Sequence, residues 1–99
     1  MYEIRFARDV EADLRRLRAY DRQRVLGAIE RHLTSQPAVQ ARNRKLLRSL
    51  IPPWTAEGPI WELRVGEHRV FYDVADAERI VYVRAVRRKA PGRRTEDML

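Results

Sequence analysis

The chain contains no cysteine, which excludes a disulfide framework, a thiolate nucleophile and a zinc–thiolate site. Its only histidines are His32 and His68, too few for a metal centre built on imidazoles. No stretch approaches the ~20 apolar residues that a bilayer-spanning helix requires. The N-terminal "MYEIRFARDV" also lacks the apolar run of a signal peptide, so a cytoplasmic protein with no membrane partner is expected. Acidic residues are in short supply: 14 Asp and Glu face 21 Lys and Arg, a net charge of +7. That balance favours a polyanionic partner, nucleic acid or an acidic protein. Among the cations only Lys45 and Lys89 are lysine; the rest are arginine, which suits planar bidentate phosphate contacts. At 99 residues the chain can bury one modest core, so a single domain over 1–99 with one site is expected.

Hydrophobic periodicity divides the chain in two. "YEIRF", residues 2–6, alternates as a short strand does. From Asp9, a candidate N-cap, Val10, Leu14 and Leu17 recur at helical spacing. A second helix restarts at Asp21, with Val25, Leu26, Ile29 and Leu33 on its apolar stripe. The helical hairpin that results carries Arg15, Arg16, Arg18, Arg22, Arg24 and Arg31 outward, where a solvated face accounts for them. "SQPAVQARNR" reads as a loop, and "KLLRSLIPPWTAEGPI" as a short edge strand or turn followed by an irregular connection, because its prolines cannot donate to a ladder. From Ile60 alternation is strict through "WELRVGEHRVFYDV" and "RIVYVRAV". Thr95 is placed to cap a final helical turn.

Turn geometry fixes a register for the first hairpin. Gly66 and Glu67 as a type II′ turn pair Val65 with His68, Arg64 with Arg69, Leu63 with Val70, Glu62 with Phe71 and Trp61 with Tyr72. Like charges directly opposite one another are destabilising, so the Arg64–Arg69 pair needs an explanation. With residues 75–78 as the next loop, Arg84 falls opposite Arg69 and the core face gains Val81, Val83 and Ala85. On the other face Arg64, Arg69 and Arg84 then align across three strands, beside a second line of Glu62, Phe71 and Tyr82. Arginines interleaved with exposed aromatic rings form a surface on which bases stack and phosphates bind; the same rings also form an apolar patch for a partner peptide.

The order strand, helical hairpin, then a meander containing "ELRVGEHRVFY" and "IVYVRAVRRK" resembles the RelE/ParE superfamily of bacterial type II toxin–antitoxin toxins. The resemblance covers nearly the whole chain. It implies an α+β fold, an antiparallel meander packed on an N-terminal helical hairpin in β-α-α-β-β-β order, with a concave basic surface on the sheet. RelE-like members cut mRNA in the ribosomal A site, and ParE-like members poison DNA gyrase. Each is held inactive by a cognate, acidic antitoxin. The resemblance thus implies a metal-independent mRNA endoribonuclease with the ribosome and mRNA as partners and no cofactor. The alternatives are a gyrase inhibitor without nuclease activity, or a degenerate toxin that only binds its antitoxin as co-repressor.

Carried over residue by residue, Arg69 matches the hairpin arginine that contacts the scissile phosphate in the RNA-cleaving branch. Lys89, or else Arg87 or Arg88, falls where that branch places a further basic residue after the last strand. With Arg84 these form the expected catalytic set, and Arg64, Phe71, Tyr82, Arg87 and Arg88 the expected RNA-binding set. Two features depart from the family pattern. Ile60 and Glu62 stand where ribosome-dependent members carry lysines, and "RRKAPGRRTEDML" has no tyrosine to stack on a base.

Metal-free RNA cleavage needs a proton acceptor for the 2′-hydroxyl, a donor for the leaving oxygen and cations for the developing charge. Arg64, Arg69 and Arg84 suit the last role. Glu62 is a candidate base, but among arginines it is better suited to a salt bridge. Lys89 is a further candidate base. His68 has suitable chemistry but falls on the helix-packed face, and the helix dipole suffices to explain His32.

Overall fold

A computed structural model describes residues 1–99, the side chain of Glu96 excepted. The order along the chain is β1 (Glu3–Phe6), α1 (Val10–Arg15), α2 (Ala19–Leu33), β2 (Arg44–Leu47), β3 (Ile60–Val65), β4 (His68–Ala75) and β5 (Ile80–Arg88). Two 3₁₀ turns, Asp76–Glu78 and Thr95–Met98, follow β4 and β5 respectively. The strands form one sheet in the order β1-β5-β4-β3-β2, antiparallel except where β1 runs parallel to β5. This is the expected α+β architecture, with the proline-flanked stretch contributing β2 as an edge strand. Among the described residues, no helix is long and apolar enough to cross a membrane.

One face of the sheet packs on the helices. Val25, Ala28, Ile29 and Leu33 of α2 meet Trp61, Leu63, Val65, Val70, Tyr72, Val81, Val83 and Val86. Leu26, expected on the same stripe, is partly exposed instead. The Tyr72 ring stacks on Trp61, centroids 6.3 Å apart, and its buried hydroxyl donates to the Pro37 carbonyl at 2.6 Å.

The helical hairpin is tied by polar groups that the sequence presents as surface. Arg22 donates from Nε to the Leu14 carbonyl and from Nη2 to the Leu17 carbonyl, both at 2.9 Å, bracing the turn between α1 and α2. It is therefore a structural residue rather than part of a solvated face. α2 begins at Ala19, two residues before the expected Asp21. Buried Asp13 accepts from the Val86 backbone N–H at 3.1 Å and from Arg87 Nη1 at 2.6 Å. A carboxylate thus takes over the edge of β5 where its pairing with β1 ends at Phe6–Val83.

The opposite face is covered as well, which the sequence pattern does not anticipate. Ile60, Phe71 and Ala85 form a second buried cluster beneath Leu47 at the end of β2, Leu50, Trp54 and Ala56 of the β2–β3 connection, and Met98 and Leu99 at the C-terminal end. Asp73 fastens this cover: fully buried, it accepts from the Glu57 N–H at 2.8 Å and from Arg84 Nε and Nη2 at 2.7 and 3.1 Å.

At the far end of α2, Arg44 is buried and donates to the Val39 carbonyl and to His32 Nδ1, at 3.0 and 3.1 Å. Accepting that bond requires a neutral imidazole. Burial first, then the charges of Arg44 and Arg31, hold His32 below its ordinary value of 6.5. The helix-dipole explanation, which needs a protonated ring, is accordingly replaced by a neutral acceptor.

Two outcomes follow for stability. Asp73→Ala leaves Arg84 and the Glu57 N–H without their acceptor and should lower unfolding free energy by about 3 kcal/mol in urea titrations; a loss below about 1 kcal/mol would mean the clasp is not formed. For His32 the folded state resists a proton that the unfolded chain accepts, so stability falls as pH drops through 6.5. His32→Gln should flatten that slope between neutral and mildly acidic pH.

Candidate functional site at the open end of the sheet

The first hairpin has the expected register, from Trp61–Tyr72 through Arg64–Arg69 to Val65–His68. Gly66 at φ +59° supplies the positive-φ residue that opens a type II′ turn. The two arginines avoid one another by taking different environments. Arg69 is buried and turns its Nη1 back on its own hairpin, donating to the Gly66 carbonyl at 2.8 Å and the His68 carbonyl at 3.0 Å. Glu62 stands 3.9 Å from its Nε. Burial lowers the Arg69 pKa, Glu62 opposes that shift and Arg64 adds to it. Arg64 remains exposed.

The second hairpin differs from expectation. Ala75 pairs with Ile80 and Val74 with Val81, because the loop closes one residue later, with Arg79 in the left-handed region at φ +60°. A bulge between Phe71 and Tyr72 then shifts the ladder again, so that Phe71 meets Ala85, Val70 meets Val86 and Arg69 meets Arg87. Arg84 is the extra residue on β5. It is drawn away from Arg69 to Asp73 and lies 4.7 Å over the Tyr82 ring. The expected alignment of Arg64, Arg69 and Arg84 is therefore not formed, and Ala85 belongs to the second cluster rather than the helix-side core.

The aromatic part of the expected surface also changes. Phe71 is 0% exposed beneath the cover and has no face on which a base could stack. Tyr82 is partly exposed but pairs with Asp73, away from Arg69. Glu62 is buried, near Arg69 and accepting from Thr95 Oγ1 at 2.9 Å. His68 is buried on the helix side, as expected from its pairing with Val65. Arg87 reaches Asp13.

What the fold does bring together lies at the hairpin end. A hollow of about 500 Å³ is lined by the Gly66–Glu67 turn, Arg69, Arg88, Lys89 and the start of the tail. The Lys89 N–H donates to the Glu67 carbonyl at 2.8 Å, fixing the tail against the turn. Arg88 Nη2 and Nε donate to Glu67 Oε2 at 2.8 and 3.1 Å. Three residues named from the sequence, Arg69, Arg88 and Lys89, thus share one hollow with a carboxylate, Glu67, that was assigned only to the turn. The missed signal was available: a turn residue beside the end of the last strand faces whatever follows that strand.

The different environments of the hairpin arginines set up a direct comparison. Arg69→Ala removes the donor that satisfies two turn carbonyls and should cost about 1–3 kcal/mol. Arg64→Ala should stay within about 0.5 kcal/mol of the parent, since only an exposed cation is removed. Equal losses in paired denaturation curves would contradict this division.

The fold has counterparts among known proteins. No curated protein sequence matches the chain. Solved structures do: an archaeal RelE from a RelE–RelB complex of Pyrococcus horikoshii OT3 is 20% identical, with 94% of this chain and 98% of that chain covered at a TM-score of 0.70. A chain of the Mycobacterium tuberculosis RelBE2 toxin–antitoxin complex is 20% identical over 89% and 98%, with a TM-score of 0.64. The isolated Escherichia coli RelE toxin is 15% identical over 93% and 88%, at 0.62. At these identities the likeness establishes the fold. The family model described as the ParE toxin of the type II toxin–antitoxin system parDE matches residues 4–90. The chain belongs to that family and is a type II toxin of the RelE/ParE superfamily.

Proposed function

We infer that the protein is an mRNA-cleaving toxin of the RelE kind, acting on message held in the ribosome and restrained by a cognate acidic antitoxin. The observation that carries this reading is the gathering of Arg69, Arg88, Lys89 and Glu67 around one hollow. RNA cleavage without metal joins the 2′-oxygen to phosphorus and breaks the bond to the 5′-oxygen, leaving a cyclic phosphate and a 5′-hydroxyl. Arg69 and Arg88 are suited to the charge that builds on the phosphate oxygens, as preorganised donors. Glu67 is the candidate acceptor of the 2′-hydroxyl proton, and Lys89 the candidate donor to the leaving oxygen. Arg88 holds Glu67 until the ribosome shapes the message against it. Several similar structures are toxin–antitoxin complexes, which supports the antitoxin as partner.

A second reading, gyrase inhibition through binding alone, draws support from the closed sheet face. Phe71 is covered, Arg84 is clasped by Asp73 and Glu62 by Thr95, so few of the groups expected on that face are free to act on RNA.

The discriminating experiment is to induce the protein in bacteria and map mRNA 5′ ends across a translated message, beside Arg69→Ala and Lys89→Ala. The expected result is new ends within the reading frame that vanish when translation is blocked and fall by about 10²-fold or more in each variant. Growth arrest with intact mRNA and impaired supercoiling would overturn it in favour of gyrase.

A further inference from the structure

The arginines fall into two groups. Some have carboxylates within 4.0 Å, among them Arg69, Arg84, Arg87 and Arg88. Arg24, Arg31 and Arg64 have none among the described residues, yet they line one hollow of about 270 Å³ between α2 and the β3–β4 hairpin, on the helix side of the turn. Among the described residues, no Asp or Glu lines it. Arg24 does not hang free there. Its Nη2 and Nη1 lie 3.0 and 3.3 Å from where a Cβ on Gly66 would stand, so the guanidinium packs closely against the turn where a larger residue would crowd it. Arg31 is close to the equivalent point on Gly27, its Nη1 at 3.7 Å.

Arg64 also borders a second hollow, of about 310 Å³, with Arg42 and Lys45. The carboxylate there, Glu62, is already engaged by Thr95 and Arg69. The cationic band therefore runs from α2 across the hairpin to the edge strand. Large exposed hydrophobic residues are absent from both linings among the described residues, so the band offers no apolar anchor of the kind that holds a peptide. Guanidinium groups lining one hollow without a carboxylate in that lining match phosphate oxygens in charge and in planar donor geometry, and the carboxylates near Arg24 (Asp13, Asp21 and Glu67) border a different hollow.

We propose that the seam between α2 and the β3–β4 hairpin is a phosphate-binding site, in which Arg24, Arg31 and Arg64 hold phosphate groups of a nucleic-acid backbone or a free nucleotide. The site shares only Gly66 with the Arg69 hollow and does not rest on the cleavage reading. A nucleic-acid strand laid along the band also engages Arg42 and Lys45, whereas a nucleotide fills the seam alone.

The test is equilibrium binding by the full chain, free of ribosomes and added metal, to a short labelled single-stranded RNA and a duplex DNA over a salt series. The Arg24→Ala/Arg31→Ala variant should bind both more weakly and reduce the salt slope by about two, roughly one for each phosphate no longer engaged. An Arg8→Ala/Arg93→Ala control, which removes equal charge elsewhere, should change the slope little; thermal melting confirms that both variants fold. Displacement of the RNA by a nucleoside triphosphate at low concentration assigns the site to nucleotides, and resistance to it assigns the site to the backbone. Equal weakening in the two double variants, or unchanged binding by the Arg24/Arg31 variant, would overturn the proposal. So would polyglutamate competing as well as RNA, since the seam would then bind any polyanion. Binding is read without cleavage, so intact mRNA in cells leaves this result standing.

Discussion

The guanidinium of Arg69 is the constraint on which the functional end of the protein depends. A hairpin that sets arginine opposite arginine is self-consistent only if one of the two charges finds other company. Arg69 finds it in the carbonyls of its own turn and in nearby Glu62, at the cost of burial. Arg64 is thereby left to solvent at the edge of the α2 seam. The Gly66 carbonyl that Arg69 holds belongs to the same loop that receives Lys89 and Arg88 through Glu67, so one buried cation organises the hairpin tip, the tail and the hollow between them.

Carboxylates complete the sorting of charge. Asp13, Asp73 and Glu62 are buried, and each is placed where a cation or a backbone N–H would otherwise lack a partner. Asp13 joins α1 to the unpaired edge of β5, and Asp73 joins Arg84 to the cover over the second face. Such groups hold position because losing one partner strands the other in a poorly solvated site. The basic excess is consequently not spread evenly. It is cancelled within the sheet and retained at the hairpin tip, along α2 and at the β2 edge.

Much of this was legible in the sequence, for identifiable reasons. Strict alternation around Gly66–Glu67 leaves one register for the first hairpin, because a one-residue slip would send Leu63 and Val70 to the wrong face. Helical spacing marked the buried face of α2, and the meander with its helical hairpin identified the superfamily. The second hairpin was less legible. Arg79 adopts a left-handed conformation that favours glycine, so nothing in "VADAERI" marked where the loop closes. The bulge at Phe71–Tyr72 leaves no mark in a pattern of alternation. Together they displaced Arg84 from the expected alignment and placed Phe71 under the cover. The cover escaped notice because "LIPPWTAEGPI" packs through scattered apolar residues of an irregular segment, which carry no period.

The central claim, that Arg69 is locked by its own turn while Arg64 is free, is tested most directly by NMR of guanidinium N–H groups in arginine-labelled protein. Slowly exchanging, resolved signals are predicted for Arg69 and rapid solvent exchange for Arg64. Exchange at Arg69 as fast as at Arg64 would contradict the claim.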